Sequence, residues 1–285
     1  MAIRIALHHK TRYLYDRPVQ LGPHLVRLRP APHCRTPIHA YSLKVVPANH
    51  LLHWQQDPQA NYLARMTFPG ATTEFTVAVD LVAELIAINP FDFFLEPPAD
   101  TYPFTYDALT ARELCAYLET EPAGPKMASF LAAISRQTIG TLEFLVGLNQ
   151  LLQREIGYVK RLEPGIRSCD ETLALRQGSC RDSAWLFVQI ARHLGLAARF
   201  VSGYLIQPAT DEKPADSADL HAWAEVYLPG AGWVGFDPTS ALLASEGHIP
   251  LACTADPANA APISGRISPC ETEFHHEMTL ARVAE

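Results

Sequence analysis

The sequence lacks an excess of basic residues, and this absence argues against one class of binding partner. Its 285 residues contain 23 lysines and arginines against 30 aspartates and glutamates, which gives a formal net charge of −7. Proteins that bind nucleic acids usually present a basic face to the phosphate backbone. The composition therefore disfavours a nucleic-acid partner.

Long apolar runs are also absent. No stretch approaches the roughly 18 consecutive apolar residues of a membrane-spanning helix, so we predict no membrane partner. The opening residues, MAIRIALHHKTRYLYD, lack the unbroken apolar core of a secretory signal peptide. From these features we expect a cytoplasmic protein. No pattern in the sequence indicates its oligomeric state.

The cysteines lack the close CxxC spacing of many metal and redox sites. In a reducing compartment, scattered cysteines are typical of free thiols rather than of a disulfide framework. We therefore expect no metal and no organic cofactor. The six cysteines are Cys34, Cys115, Cys169, Cys180, Cys253 and Cys270.

Strand periodicity dominates the first part of the chain. Apolar residues alternate at Ile3, Ile5 and Leu7, as expected for a half-buried strand. A longer pattern from Thr72 to Ile88 changes its apolar face midway, which predicts a bulge or a bend between two sheets. We assign residues 1–88 to a β-rich N-terminal domain.

A linker and a helical stretch follow. Residues 89–107 contain several prolines and show neither helical nor strand periodicity, so we interpret them as a linker packed down by its aromatic residues. Helical spacing then recurs, and we assign residues 108–285 to a second domain. Within it, the polar segment from Pro208 to Ala218 is predicted to be a mobile loop beside the functional site.

One cysteine has a distinctive position. In RQGSCRDSAWLFVQIARHLGLAARFVSGYL, Cys180 follows Gly178 and Ser179 and begins an amphipathic helical pattern. A helix N-terminus has unpaired N–H groups and partial positive charge, which favour a thiolate and can hold a developing oxyanion. Gly178 would allow a substrate carbonyl to approach closely. Cys180 is therefore a candidate nucleophile.

A base and a group that orients it follow in the sequence. The strictly alternating strand from Leu220 to Leu228 places His221 on its polar face, and the return strand after a Pro-Gly turn ends at Asp237. Strands joined by a tight turn bring His221 and Asp237 side by side, and a helix packed across them brings Cys180 to the imidazole. An activated thiol needs these two partners. We predict Cys180, His221 and Asp237 as catalytic residues.

Three segments together resemble the bacterial transglutaminase-like proteins: GSCRDSAWLFVQIARHLGLAARFVSGYL, LHAWAEVYLPGAGWVGFDPTS and GHIPLA. The segments TRYLYDRPVQLGPHLVRLRP and INPFDFFLEP resemble the β-rich region that accompanies this core in many bacterial members. The resemblance implies an α+β fold. An N-terminal β-sandwich-like domain precedes a papain-like, transglutaminase-like core, in which the helix bearing the cysteine packs on an antiparallel sheet. The family's nucleophile, base and orienting acid fall on Cys180, His221 and Asp237.

The sequence departs from the family after GHIPLA. Many relatives carry a glycine-arginine-aspartate-tyrosine stretch there, whereas residues 253–265 of this chain are CTADPANAAPISG. If this stretch shapes the substrate cleft, substrate choice differs here.

Four further residues are candidates for the cleft. Trp223 is a candidate cleft aromatic beside His221, and Tyr204 and Tyr158 are candidate donors to the oxyanion. Ser179 directly precedes the nucleophile. The alternative role for the three aromatic residues is packing in the core.

The residues and the resemblance together predict thiol-dependent acyl transfer on an amide bond of a protein or peptide. Hydrolysis is favoured because cross-linking needs a second, drier amine pocket, which no motif indicates. The alternatives are a protein-glutamine transglutaminase and a non-catalytic module that binds proteins or peptides. A zinc site made of cysteine, histidine and aspartate is a further alternative, disfavoured because no close ligand pair anchors it.

Overall fold

The fold is described from a computed structural model of the chain. The structure describes residues 2–161, 163–209 and 214–283. Residues 210–213 of the predicted loop lie outside the described residues. The loop ends earlier than predicted, because the strand that follows it begins at Ser217.

Strands form both ends of the chain, and helices lie between them. The strands in chain order are β1 (Ile3–Gln20), β2 (His24–Val26), β3 (Ile38–Val46), β4 (Leu51–Gln56), β5 (Tyr62–Thr67), β6 (Ala71–Leu85), β7 (Thr101–Tyr102), β8 (Ile139–Gly140), β9 (Gly157–Tyr158), β10 (Gln177–Gly178), β11 (Ala198–Gln207), β12 (Ser217–Leu228), β13 (Gly232–Asp237), β14 (Leu242–Leu243), β15 (His248–Thr254), β16 (Ile263–Ser264) and β17 (Thr272–Arg282). The α-helices are α1 (Ala108–Glu113), α2 (Cys115–Leu118), α3 (Pro125–Ala133), α4 (Thr141–Glu155), α5 (Cys169–Leu175) and α6 (Cys180–His193). Within the described residues, no helix is long and apolar enough to cross a membrane.

Two antiparallel sheets form the N-terminal part of the molecule. The first has the strand order β17-β1-β6-β3, and the second has the order β16-β2-β5-β4. Alternate residues of β1 and β6 are buried, including Ile5, Leu7 and Val77, and they share a hydrophobic cluster with Ala64 and Met66 of β5. The apolar faces of the two sheets therefore meet in one core.

The predicted bend within β6 is wrong. Its buried face continues without a change of phase from Phe75 to Leu81 and Leu85. The irregularities lie in its partner strands: the pairing register shifts in β1 between Leu14 and Val19, and in β3 between Ile38 and Ala40. The expected change of phase came from Val82 and Ile86, apolar residues that lie outside this buried row.

The end of the chain returns to the N-terminal sheets. β17 pairs antiparallel with β1 over its whole length, and β16 pairs with β2. The predicted second domain of residues 108–285 therefore needs a correction at its end, because its final strands complete the N-terminal sheets. A hydrogen-bonding partner so distant in sequence has no local signature.

Residues 89–107 are mostly irregular and pack on the helical core. Phe93, Leu95 and Phe104 lie against its hydrophobic cluster, and the Tyr102 ring stacks on Phe144 with a centroid distance of 3.8 Å. These aromatic contacts fix the segment beside α4.

The core beside these helices is a five-stranded antiparallel sheet with the order β14-β13-β12-β11-β15. α6 packs on β11 and β12, and its apolar face, with Ala184 and Phe187, is buried with Ala222 and Ala224. At the other end of the sheet, Tyr204 joins the hydrophobic core of the N-terminal sheets. The core sheet thus connects the helices to the sandwich.

Candidate active site

The start of α6 is held by a buried carboxylate. Asp182 accepts hydrogen bonds at 2.8 Å from both the backbone N–H and the hydroxyl of Ser179, the residue that caps the helix. Arg161 donates to both Asp182 oxygens at 2.7 Å, and the Arg167 N–H donates to one of them at 2.8 Å. Burial alone would raise the pKa of Asp182, but these bonds lower it. Asp182 therefore anchors the helix start as well as complementing its dipole.

Gly178 has a different role from the expected one. A Cβ at this position would lie 3.0 Å from Cβ of Asp182 and 3.3 Å from Cγ2 of Thr172, in the protein interior rather than on the substrate side. The missing side chain therefore lets the strand before Cys180 pack closely against its own helix. α5 ends at Leu175, and its C-cap residue Arg176, with a φ of 51°, makes the left-handed turn before Gly178.

β12 and β13 bring His221 and Asp237 together. Nε2 of His221 lies 3.0 Å from Oδ2 of Asp237, and the two side chains are 9% and 1% exposed. Nδ1 is then the ring nitrogen left for the Cys180 thiol, which interacts with the same imidazole and raises its pKa. The structure thus places His221 beside Asp237 and sets Cys180 in the same cleft as His221, and the catalytic roles of the three residues stay a prediction.

Further donors hold the Asp237 carboxylate in place. Thr239 donates to Oδ1 through its N–H at 2.9 Å and its hydroxyl at 2.7 Å, and the Ser240 hydroxyl donates to Oδ2 at 2.9 Å. Thr239 and Ser240 follow Asp237 after one residue, Pro238, so the turn after β13 itself supplies these donors. Sequence reasoning missed these two residues, although the DPTS segment places them beside the acid.

A second histidine faces the same carboxylate. Nε2 of His248, on β15, lies 3.6 Å from Oδ2 of Asp237, and its Nδ1 accepts the Ser245 N–H at 3.2 Å. Nε2 therefore faces Asp237 beyond hydrogen-bond distance, and it has no hydrogen-bond partner among the described residues. His248 lies in the GHIPLA segment, which the sequence analysis used only as a signature.

Electrostatics favour an ionised Asp237 and a protonated His221. Burial alone would raise the pKa of Asp237, but interactions with His221 and His248 outweigh it and hold the pKa well below its usual range. Burial also disfavours the imidazolium. The interactions with Asp237 and Cys180 outweigh that effect and raise the pKa of His221 to about 10.

Cys180 and His221 face a cleft between the two parts of the molecule, whereas Asp237 is buried behind His221. The cleft has a volume of about 800 Å³ and includes Cys180 and His221 in its lining. Its opposite wall comes from the N-terminal sheet, through Tyr13 of β1 and Phe274 of β17. The β-rich domain therefore contributes directly to the surface that a substrate would meet.

The divergent stretch after GHIPLA also lines this cleft. Residues 255–258 and 260–263 form part of its wall. The segment includes a 3-10 helix, Pro257–Ala260, where the Asp256 side chain accepts the Ala258 N–H. The departure from the family pattern thus falls on the substrate side of the site.

Two predicted cleft residues are buried elsewhere. Tyr204 is 0% exposed, and its hydroxyl lies 2.9 Å from Nδ1 of His9 in the N-terminal sheet. Trp223 is 1% exposed and lies behind the site, where its ring meets His248 edge-on at 5.1 Å. Gly203 makes room for this indole, because a Cβ there would overlap the ring. Neither aromatic residue lines the cleft.

The other two candidates do line it. Ser179 is buried beneath the nucleophile as the helix cap, and Tyr158 is 58% exposed on the cleft surface. β9 pairs with β10 and sets Tyr158 opposite Gly178, two residues before Cys180. Burial and the nearby Cys180 raise the pKa of Tyr158, so its phenol stays protonated at neutral pH.

Two clusters among the described residues have the spacing to hold a metal ion. One consists of His221, Asp237 and His248, and its potential ligand atoms lie within 4.8 Å of one another. A metal ion there would compete with the existing hydrogen bonds for Asp237 and would occupy Nε2 of His221. The other consists of His33, Glu225 and Cys253, and there Arg199 already pairs with Glu225 at 2.6 Å.

Comparison with known proteins identifies the family. Residues 5–84 match the bacterial transglutaminase-like N-terminal region, and residues 129–238 match the core of the transglutaminase-like superfamily. The chain therefore belongs to the bacterial transglutaminase-like proteins, with a papain-like cysteine-enzyme core, and the predicted α+β fold is confirmed.

Individual relatives show how far the likeness extends. An uncharacterized protein of Mycobacterium leprae is 23% identical over 92% of each chain. A protein-glutamine gamma-glutamyltransferase of Pseudomonas aeruginosa is 36% identical, but over only 22% of this chain and 10% of its own length. A solved structure from Cytophaga hutchinsonii, named a candidate cysteine protease, matches all of this chain and 92% of its own with a TM-score of 0.69. Its 18% identity supports a common fold and nothing finer.

Proposed function

We propose that this protein is a thiol-dependent acyl-transfer enzyme that acts on amide bonds, with Cys180 as nucleophile, His221 as base and Asp237 as the residue that orients the base. The observation that carries the proposal is the 3.0 Å bond from Asp237 to Nε2 of His221, which leaves Nδ1 for Cys180. A nucleophile, a base and a group that fixes the base are the set that such chemistry needs.

The proposed reaction has two halves. The proton of the Cys180 thiol resides on His221 when Sγ attacks the amide carbonyl to form a tetrahedral oxyanion. His221 then donates the proton to the leaving amine, the C–N bond breaks, and a thioester remains on Cys180. Water or a second amine attacks the thioester, His221 again transfers the proton, and the free thiol returns.

Two groups are candidates to stabilise the oxyanion. The first N–H groups of α6, including that of Cys180, have no acceptor within the helix. The phenol of Tyr158 lies on the same cleft and stays protonated at neutral pH. Removing one donor of an oxyanion hole typically slows a reaction by about 10²- to 10³-fold.

Hydrolysis is the favoured outcome of the second half. The cleft is open, and the exposure of Tyr158 beside Cys180 indicates that water reaches the thioester. The cleft runs between two domains and has room for several residues of an extended peptide, which supports a protein or peptide substrate. Transamidation remains the second candidate, because one relative carries that activity in its name.

A peptide pool tests the proposal and separates the two outcomes. The protein would be incubated with the pool in the presence and absence of the primary amine cadaverine, and products would be read by mass spectrometry. A hydrolase yields cleaved or deamidated peptides in both samples, whereas a transglutaminase yields cadaverine adducts. The chelator EDTA should leave either activity unchanged, because no step uses a metal ion.

Matched variants keep the test specific. Cys180→Ala should abolish all products, and Cys115→Ala, which removes an exposed thiol elsewhere, should retain them. Products that survive in folded Cys180→Ala would refute the mechanism. Binding of peptides without any product in the unmodified protein would favour a non-catalytic binding module.

A further inference from the structure

A second large groove lies in the N-terminal sandwich, away from Cys180. Its volume is about 830 Å³, and its walls come from the segment after β2, from β3, and from β4 and β5. The lining includes Arg29, Tyr41, Leu43, Trp54 and Tyr62. None of these residues belongs to the cleft at Cys180.

Arg29 is held in this groove by aromatic rings. Its Cζ lies 4.2 Å from the ring centroid of Tyr62, 5.4 Å from that of Trp54 and 5.8 Å from that of Tyr41. Among the described residues, no carboxylate forms an ion pair or hydrogen bond with this guanidinium, and none lines the groove. The charge is therefore positioned but not neutralised by the protein.

Tyr41 adds an unused polar atom to the same wall. Its hydroxyl is buried and has no hydrogen-bond partner among the described residues. A buried hydroxyl without a partner destabilises a folded protein, and a bound acceptor would remove that cost. The other basic group of the lining, His39, is already paired with Glu84 at 2.6 Å. Arg29 and Tyr41 thus offer donors with no internal acceptor.

The groove lies between the two free edges of the sandwich. β3 is the last strand of one N-terminal sheet, and β4 is the last strand of the other. An edge strand presents a row of backbone N–H and C=O groups, to which an extended peptide can add as another strand. The apolar side chains of Leu43 and Leu52 lie on the same surface.

We propose that this groove binds an extended peptide segment through its carboxylate, with Arg29 as the anchor, the Tyr41 hydroxyl as a second donor, and the edge strands as the main-chain partner. A guanidinium stacked on an aromatic ring keeps its planar edge free, and that edge matches a carboxylate with two parallel hydrogen bonds. A phosphate group would be less well matched, because only one unpaired arginine faces the groove. The inference does not depend on the activity proposed for Cys180.

Fluorescence polarisation with labelled peptides tests the proposal. The probe is a fluorescein-labelled hexapeptide, Gly-Val-Thr-Val-Leu-Val, with a free C-terminal carboxylate, and its C-terminal amide is the comparison. A third peptide, amidated but with a glutamate near its end, reveals whether a side-chain carboxylate serves. We expect Arg29→Gln to weaken binding of the carboxylate peptide at least tenfold, and Tyr41→Phe to weaken it severalfold.

A double-mutant cycle decides whether the carboxylate meets Arg29. The amide peptide should bind weakly to the unmodified protein. Arg29→Gln should lower its affinity little further, because the amide peptide has no carboxylate to pair with Arg29. Arg65→Gln, which removes an exposed arginine on β5, is the matched control and should bind normally. Equal losses for carboxylate and amide peptides would overturn the proposal, as would binding that Arg29→Gln leaves unchanged. If free acetate displaced the peptide at concentrations similar to those of the peptide, the groove would bind small carboxylates, and the proposal of a peptide ligand would be wrong.

Discussion

Several groups of the candidate site meet at the side chain of Asp237. Two imidazoles, two hydroxyls and a backbone N–H surround its carboxylate, which is 1% exposed. The sequence could predict its contact with His221, because the two residues lie on consecutive strands joined by a tight turn. It could not predict His248, because β15 joins the sheet on the far side of β11 and no local pattern indicates that crossing.

Asp237→Asn should preserve the fold and lower activity about 10²- to 10⁴-fold. The change keeps the volume, but an amide that donates to Nε2 favours the wrong tautomer and no longer stabilises the imidazolium. The rate of peptide turnover and a thermal unfolding curve would be measured together. Combining the change with Cys180→Ala should cost no more than Cys180→Ala alone, since residues that act as one unit are not additive. Full activity in Asp237→Asn would leave a Cys-His pair without an orienting acid.

Thiol labelling distinguishes reactivity from exposure. Cys115 is exposed and Cys180 is only partly so, which means that accessibility alone predicts modification of Cys115 first. We expect the reverse with limiting iodoacetamide, because Cys180 is the cysteine that begins α6 in the same cleft as a histidine, His221. Peptide mapping after brief labelling gives the ratio. Burial raises the pKa of Cys169 to about 12 and holds that of Cys253 well above its usual value, so these two should stay unlabelled.

At the scale of elements, α6 was predictable and its anchor was not. Apolar residues at helical spacing and the start at Cys180 are local signals, and the helix runs from Cys180 to His193 as this pattern indicates. The contact between Asp182 and Arg161 spans 21 residues that include α5 and β10, and no spacing rule covers it. In β6, by contrast, the local pattern gave a wrong prediction. Its apolar side chains outside the buried row have the spacing of a second buried face.

Asp182→Asn should destabilise the protein by about 3 kcal/mol, because it leaves the guanidinium of Arg161, which is 13% exposed, with only the exposed Glu163 at 3.8 Å as a charged partner. Ser179→Ala should cost only about 1 kcal/mol, the usual value of a helix cap. Urea unfolding of both variants measures the difference. Glu171→Gln, which changes a first-turn acid on the neighbouring helix α5, is the control and should stay within a few tenths of a kcal/mol. Equal losses for Asp182→Asn and Glu171→Gln would show that the buried anchor is unimportant.

At the scale of the whole molecule, the two parts are bound together more closely than the sequence indicates. β17 crosses back to β1, and residues of both parts line the cleft. Asn61, in the N-terminal sandwich, exchanges two hydrogen bonds with the backbone of Cys253 at 2.8 and 3.0 Å. These contacts join residues far apart in the chain, so they depend on the assembled fold and leave no periodicity to detect.

His9 lies at this junction and should make stability depend on pH. Its Nδ1 lies 2.9 Å from the Tyr204 hydroxyl and its Nε2 2.9 Å from the Thr11 hydroxyl, and burial lowers its pKa from 6.5 to about 4, with His276 and His8 adding to the effect. Above about pH 6.5 the ring is neutral in both the folded and the unfolded chain. As the pH falls from 6.5 toward 4, the unfolded chain takes up a proton that the folded protein refuses, so the free energy of unfolding falls.

Between pH 6.5 and pH 4, the free energy of unfolding should fall by an amount on the order of 3 kcal/mol. The fall levels off below the pKa that His9 has in the folded protein. Urea unfolding of the unmodified protein and of His9→Gln, measured between pH 7 and pH 4, isolates this contribution from those of other titrating groups. Glutamine has no proton to gain, so the difference between the two curves should be flat above pH 6.5 and should change steadily below it. Lys10→Gln, an adjacent change that leaves the ring in place, should keep the slope of the unmodified protein. Parallel curves for the unmodified protein and His9→Gln would mean that His9 titrates normally and that the junction is open to water.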